Sequence, residues 1–278
     1  FRRNNKGSLL LLLESSRGCP YSCTFCYRIV GKVLAMKRTQ QIVDELEYLI
    51  KRFSPDSILF ENGIFVHNRK LSLEVCDEIS KRGLELPVLE VESTSHLLKR
   101  EEFVEKLMKT GITVANFGIE SGNTEILEEI GKGQKLEDIE KTVANCNRYG
   151  MKLDGFVILG HPGETVMSIN ETIKFTRTFD LRYINYAIMT PFPGTEVREL
   201  ALKGEGGYKI VSNNWRDYGK QAGKAMEFDN FTARGIIRLQ LKAYLSWYFY
   251  KPTRFIRFVR NYIDLGLMMG VIKKVFNR

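Results

Sequence analysis

The sequence predicts an α/β fold: a partial (β/α)6 barrel of the TIM type with parallel strands, followed by a C-terminal helical extension. Three observations predict it. Six short apolar runs alternate along the chain with amphipathic runs of helical period. The apolar runs lack clean alternation, as suits a parallel sheet covered on both faces. Each is followed by enough chain for a right-handed helical crossover to a parallel neighbour. A length of 278 residues suits a single α/β barrel.

In order, LLLLLE at 9–14 reads as the first strand, and TQQIVDELEYLIKRF at 39–53 as an amphipathic helix with Thr39 as its N-cap. SILFE at 57–61 is the second strand, and the helix over 71–83 stops at Gly83. PVLEVES at 87–93 is the third strand, followed by a helix over 99–111. ITVANFGIES at 112–121 is the fourth, followed by helices over 124–133 and 136–150. KLDGFVILG at 152–160 is the fifth, with a helix over 164–179, and LRYINYAIMT at 181–190 is the sixth. The barrel core is assigned to 1–200 and the extension to 201–278.

In such sheets function gathers on the loops leaving the C-terminal ends of the strands. The loop after the first strand reads RGCPYSCTFC, with Cys19, Cys23 and Cys26 in C-x3-C-x2-C spacing. The same spacing would suit one apolar stripe of a helix, since free cysteine behaves as a small hydrophobe. Gly18 and Pro20 argue instead for a loop that wraps three thiolates around one object. Soft thiolates favour zinc or iron–sulfur. A structural zinc site wants four ligands, and the nearest candidate, His67, lies on another loop. A 4Fe–4S cluster on three cysteines leaves one iron open for a substrate.

CPYSCTFC resembles the CxxxCxΦC signature of radical S-adenosylmethionine (SAM) enzymes, with Phe25 as the aromatic Φ. The resemblance implies a partial (β/α)6 barrel and a 4Fe–4S cluster whose open iron is chelated by SAM. Three more segments resemble the family, so the likeness runs over about residues 8–200. In GIESGNTEILEEIGKG (118–133) it implies that Glu120 and Ser121 face SAM and that Lys132 meets its carboxylate. In GFVILGHPGET (155–165) it implies backbone against adenine around Val157, with Gly160 permitting close approach. MTPFPGTEV (189–197) resembles the sixth-strand ending. FENGIFVHN (60–68) departs from the family's acidic pair: Glu61 is placed to accept from the SAM amino group, whereas Asn62 brings no charge. Without the resemblance, Glu120 reads equally as a strand-end acid and Lys132 as a complement to a helix C-terminus. Cys76 and Cys146, on helices, read as core, and His96 and His161 as structural, with His161 near enough to the fifth strand to line the site.

The activity implied is reductive cleavage of SAM to methionine and a 5′-deoxyadenosyl radical, which abstracts hydrogen from an unactivated carbon. A small-molecule or lipid-like substrate and a one-electron donor such as flavodoxin or ferredoxin go with it. The motif wording resembles the branch that often carries an N-terminal cobalamin-binding domain. That domain would precede Phe1, and it opens methyl transfer through cobalamin as one reading. Cobalamin-free rearrangement or C–C bond formation is another, and a non-catalytic structural metal module is the rival from a different class.

No run of about 18 apolar residues reads as a transmembrane helix, and no secretion signal follows Phe1. Five cysteines without a secretion signal suggest a reducing, cytoplasmic setting. The net charge of +9 sits in residues 231–278, which hold ten Lys or Arg, one acid and ten aromatics. There RFIRFVRNYI places Arg254, Arg257 and Arg260 at helical spacing. The plain reading is a helix pair packed on the barrel with an exposed basic face. A membrane-surface contact is the sharper reading, and nucleic acid ranks behind both.

Overall fold

The computed structural model describes residues 2–3, 7–27, 31, 33–61, 63–221 and 224–256. Six parallel strands pair in chain order: β1 (Leu9–Glu14), β2 (Ser57–Glu61), β3 (Val88–Ser93), β4 (Ile112–Glu120), β5 (Lys152–Leu159) and β6 (Tyr183–Ile188). A two-residue strand, Arg2–Arg3, adds antiparallel to the outer edge of β1. The sheet curls into a half-barrel open between β1 and β6, as the alternation of strand and helix predicts.

Between these strands, the helices longer than four residues are α1 (Thr39–Phe53), α2 (Arg69–Arg82), α3 (Glu101–Thr110), α4 (Thr124–Ile130), α5 (Leu136–Arg148) and α6 (Val166–Thr176). The period of two is present after all, but it separates two kinds of interior. Leu89 and Val91 of β3 are fully buried toward the helices, while Glu90 and Glu92 turn into the barrel. The predicted cap of α1 shifts by one residue. Arg38 is the N-cap, its backbone N–H donating to Gln41 Oε1 at 3.1 Å, and Thr39 is already the first helical residue. Gly83 ends α2 in the left-handed conformation, as predicted.

Beyond β6 lie α7 (Glu196–Lys203), a hairpin of β7 (Tyr208–Ile210) and β8 (Met226–Phe228), and α8 (Ala233–Tyr250). α8 packs on β6 and α6. Trp247 is 2% exposed, and the Tyr244 ring meets Tyr186 edge-on at 5.2 Å. Arg254 is not part of an exposed basic face. It is buried beneath Trp247, 4.6 Å from the ring centre, and its guanidinium caps the carbonyls of Arg177, Phe179 and Trp247. A planar fork with several donors suits a set of helix-end carbonyls left without partners. Arg257 and Arg260, the other members of that predicted face, lie outside the described residues.

Candidate functional site

The half-barrel encloses a cavity of about 670 Å³, lined by inward residues of all six strands and by the loop after β1. One wall is apolar, with Leu10, Leu12 and Leu59. The facing wall carries Glu90, Glu92, Asn116, Asp154 and Asn185. Arg182 neutralises the floor, with Nη2 at 2.5 Å from Asp154 and 3.3 Å from Glu90.

The cysteine loop is pinned at both ends. At its base, Ser16–Arg17 pairs antiparallel with Ala35–Met36. Gly18 follows at φ +87°, and a Cβ there would stand 2.1 Å from the Val33 carbonyl oxygen, so only glycine fits. Farther along, Thr24 N–H donates to the Ile130 carbonyl at the end of α4 (3.4 Å), and Thr24 O accepts from Val197 of α7 (3.3 Å). Cys19, Cys23 and Cys26 are free thiols, with Cys23 buried and the other two half-buried. Burial pushes the Cys23 thiol up to about 11, and the Lys132 ammonium pulls the other way. Phe25 and Cys26 face the cavity. Among the described residues no three His, Cys, Asp or Glu side chains close around a single ion. Three soft donors on one rigid loop at the cavity mouth, beside a buried cation, fit a thiolate-held cluster.

Glu120 ends β4 at φ +63°, a conformation L-residues avoid. A bulge between Gly118 and Glu120 produces it and turns the carboxylate inward, 2.6 Å from Lys132 Nζ. Lys132 also donates to the Gly118 carbonyl at 3.1 Å. A side chain at Gly118 would strike this pair, its Cβ falling 1.9 Å from Glu120 Oε1. Strain of this kind costs about 1–3 kcal/mol and is concentrated at functional sites. Glu61 lines the cavity from β2. Asn62, its predicted companion, lies outside the described residues.

Ser121 is brought near but turned away. It is fully buried, and its hydroxyl meets Thr172 of α6 at 3.1 Å. Val157 lines the cavity opposite Glu120 in register. Gly160, at φ +94°, has a different neighbour from the one expected. A Cβ there would stand 2.6 Å from Phe228 and 2.9 Å from Ile236, so the close approach is that of the C-terminal hairpin and α8. Tyr208 of the hairpin donates to the Gly160 carbonyl at 2.8 Å. Cys76 and Cys146 are buried on their helices, as read.

Two buried groups stand behind the cavity: His161, read from sequence as structural and near enough to line the site, and Glu164, which sequence reasoning passed over. The His161 ring meets Phe25 at 5.8 Å, and burial pushes its pKa down to about 3, so it is neutral. Glu164, 1% exposed, accepts the backbone N–H groups of Gly160 and His161, and burial pushes its carboxyl up to about 7. The glutamate four residues beyond Gly160 in GHPGE was the available signal. No motif marked Lys220 or the glutamines beside it.

The radical SAM superfamily model matches residues 13–176. An uncharacterized methyltransferase of Pyrococcus horikoshii is 32% identical over 240 residues, 85% of this chain and 51% of the relative. The hopanoid C-2 methylase of Rhodopseudomonas palustris is 25% identical over 216 residues, 75% of this chain and 40% of the relative. Among solved structures, the radical SAM methyltransferase TsrM of Kitasatospora setae, with cobalamin and a 4Fe–4S cluster bound, superposes with a TM-score of 0.66. Its identity is 21%, covering 74% of this chain and 43% of that one, a likeness of fold. The chain thus spans about half the length of the curated relatives it matches. With the cysteine loop standing on the first strand of a six-stranded half-barrel, the chain belongs to the radical SAM superfamily.

Proposed function

We propose that this chain is the catalytic core of a radical SAM methyltransferase, with Cys19, Cys23 and Cys26 as the ligands of its 4Fe–4S cluster. The observation that carries the reading is the cysteine loop at the cavity mouth beside the strained Glu120–Lys132 pair. Bound there, the cluster supplies one-electron reduction of SAM, a chemistry no side chain offers. Lys132 and Glu120 present a fixed cation and anion to the carboxylate and amino ends of the cosubstrate, and Glu61 offers a second acceptor from β2. Val157 and Phe25 supply apolar surface for the adenosine. At the floor, Arg182 neutralises Asp154 and Glu90, so these two acids add no free negative charge to the cavity. The electron comes from a small carrier of the flavodoxin or ferredoxin type.

Methyl transfer through cobalamin rests on the relatives' names and on their greater length, and it concerns the full-length protein. The deciding experiment is anaerobic reconstitution with iron and sulfide, reduction, and chromatography for 5′-deoxyadenosine after adding SAM. The control has all three cysteines changed to Ala. Product from the parent alone supports the reading, and a colourless protein that retains zinc overturns it. Full-length protein that retains no cobalamin, read from its absorbance, removes the cobalamin part.

A second observation favours contact with a membrane surface. α8 exposes Leu241, Leu245 and Phe249 at i, i+4, i+8, with Arg234 and Arg238 on the same face and exposed Phe255 and Ile256 beyond. Among the described residues no helix is long and apolar enough to cross a membrane. Co-sedimentation with anionic vesicles tests the contact, and it suits a lipid-like substrate.

A further inference from the structure

The open edge of the half-barrel, at β6, is finished by side chains. Ile188 N–H donates to the Lys220 carbonyl at 2.8 Å, so the chain around Lys220 lies along the strand edge. Gln240 of α8, 7% exposed, reaches the same edge. Its Nε2 donates to the Tyr186 carbonyl (2.6 Å) and to Gln221 Oε1 (2.9 Å). Gln221 Nε2 donates in turn to Asn185 Oδ1 at 2.9 Å. Tyr244 accepts from Tyr186 N–H (3.1 Å) and donates its hydroxyl to the same Asn185 oxygen (3.1 Å).

The direction of this network is forced from the backbone inward. The Tyr186 carbonyl only accepts, so Gln240 turns its NH2 toward it. Gln221 therefore offers its oxygen to Gln240 and its NH2 to Asn185. Tyr244, having accepted from a backbone N–H, has its own hydrogen to give. Asn185 Oδ1 thus holds two donors, which fixes the amide orientation and leaves Nδ2 for the cavity, where no acceptor meets it among the described residues. Lys220 lines the same cavity, its Nζ 5.8 Å from the Phe192 ring centre, with no carboxylate at ion-pair distance among the described residues. Arg182 holds Glu90 and Asp154, and Lys132 holds Glu120. Glu61 and Glu92 line the wall four and three strands away from β6, respectively. At the β6 edge an anion meets donors without acceptors among the described residues, and the acid of the adjacent strand, Asp154, is held by Arg182.

We propose that Asn185 Nδ2 and Lys220 Nζ form the anion-reading corner of the substrate pocket. The substrate is then a small molecule with a carboxylate or phosphate at the β6 edge and an apolar body against Leu10, Leu12 and Leu59. Gln221, Gln240 and Tyr244 are positioning residues for the Asn185 amide. The assignment rests on reading this cavity as the substrate site of the enzyme proposed above.

Calorimetric titration of the full chain, without cluster or SAM, uses four probes with one tail: hexanoate, hexyl phosphate, hexylamine and hexanol. One of the two anions is expected to bind at least about tenfold tighter than the amine and the alcohol, as a charge-assisted contact implies. The tighter of the two identifies the oxyanion. Lys220→Met and Asn185→Asp should each weaken that anion by about tenfold, whereas Gln221→Leu, which frees only the amide orientation, should weaken it by about threefold. Lys220→Glu should move the preference to hexylamine, a reversal that a purely structural lysine would not produce. Thermal unfolding of each variant at the parental temperature shows that the fold is kept. No binding of either anion, equal binding of all four probes, or parental affinity in Lys220→Met overturns the proposal. Because no cofactor is present, that failure is distinct from failure of the deoxyadenosine assay.

Discussion

The two sides of the cavity are built in opposite ways. On the cysteine side, each part comes from a stretch contiguous in sequence: the loop 17–26, and the run from Gly118 through Lys132 that closes one ion pair over its own bulge. On the β6 side, the parts come from 185, 220, 221, 240 and 244, and nothing adjacent in sequence joins most of them. The first is a motif in the ordinary sense. The second is a solution to a hydrogen-bond accounting problem at a sheet edge, where every exposed backbone group needs a partner. The difference teaches that local strain and ligand spacing leave a trace in sequence, whereas edge closure by distant side chains leaves almost none.

The largest expected effect breaks the cysteine side outright. Replacing Cys19, Cys23 and Cys26 by Ala should remove iron and sulfide from the reconstituted protein and take 5′-deoxyadenosine to background. Hexanoate or hexyl phosphate binding at the β6 edge should persist in the same variant. A loss of both would mean that the two sides are one structural unit.

Next comes the buried pair. Glu120 is 6% exposed, and Lys132→Met leaves its carboxylate without its cation. That loss is expected to cost about 3–5 kcal/mol, seen as a lower denaturation midpoint. The double variant Lys132→Met with Glu120→Gln should recover a large part of it, because the unpaired charge and not the missing contact dominates. If the double variant is no more stable than the single one, the pair matters through its bond to Gly118 instead.

Legibility follows the same division. All six strands could be read because apolar runs bounded by Gly, Pro and Asp survive any tertiary context, and the helix stop at Gly83 needs only a left-handed residue. The inward acids were hidden. Glu90 sits between Leu89 and Val91 and Glu92 between Val91 and Ser93, and their direction is settled only when the sheet curls. Gly160 was read as room for a cosubstrate, but the atoms that crowd it belong to Phe228 and Ile236, 68 and 76 residues away in sequence. Arg254 counted as surface charge until its carbonyl partners on the far side of α6 were visible.

Glu164 links the two sides, since it holds the turn at Gly160 and His161 on which the hairpin docks. Its folded pKa, pushed up to about 7 by burial, lies above its unfolded value. The protonated form is therefore favoured in the fold, and the associated stability is complete below the unfolded pKa and lost as pH rises through about 7. The parent should lose about 3 kcal/mol between pH 4.5 and pH 8 from this group. Glu164→Gln keeps an acceptor for both backbone N–H groups and has no proton to lose, so its stability should be flatter over that range. Parallel stability-versus-pH curves for parent and variant would show that the two backbone donors already offset the burial.

The smallest effect sharpens the comparison most. Gln240→Leu keeps the volume at the α8–β6 contact but takes the donor from Gln221 Oε1 and the shortest hydrogen bond from the Tyr186 carbonyl, which keeps only longer contacts to Gln221 and Tyr244 at 3.4 Å. A cost of about 1–3 kcal/mol is expected from these losses. The telling result is the split between sites: Gln221 is free to turn over, Asn185 loses its fixed orientation, and anion affinity should fall by about threefold. Deoxyadenosine formation, which depends on the cysteine loop and the Glu120–Lys132 pair, should stay at the parental rate when no substrate is added. If the variant instead slows deoxyadenosine and leaves anion binding alone, the β6 edge acts through barrel closure and not through the donor it holds in the cavity.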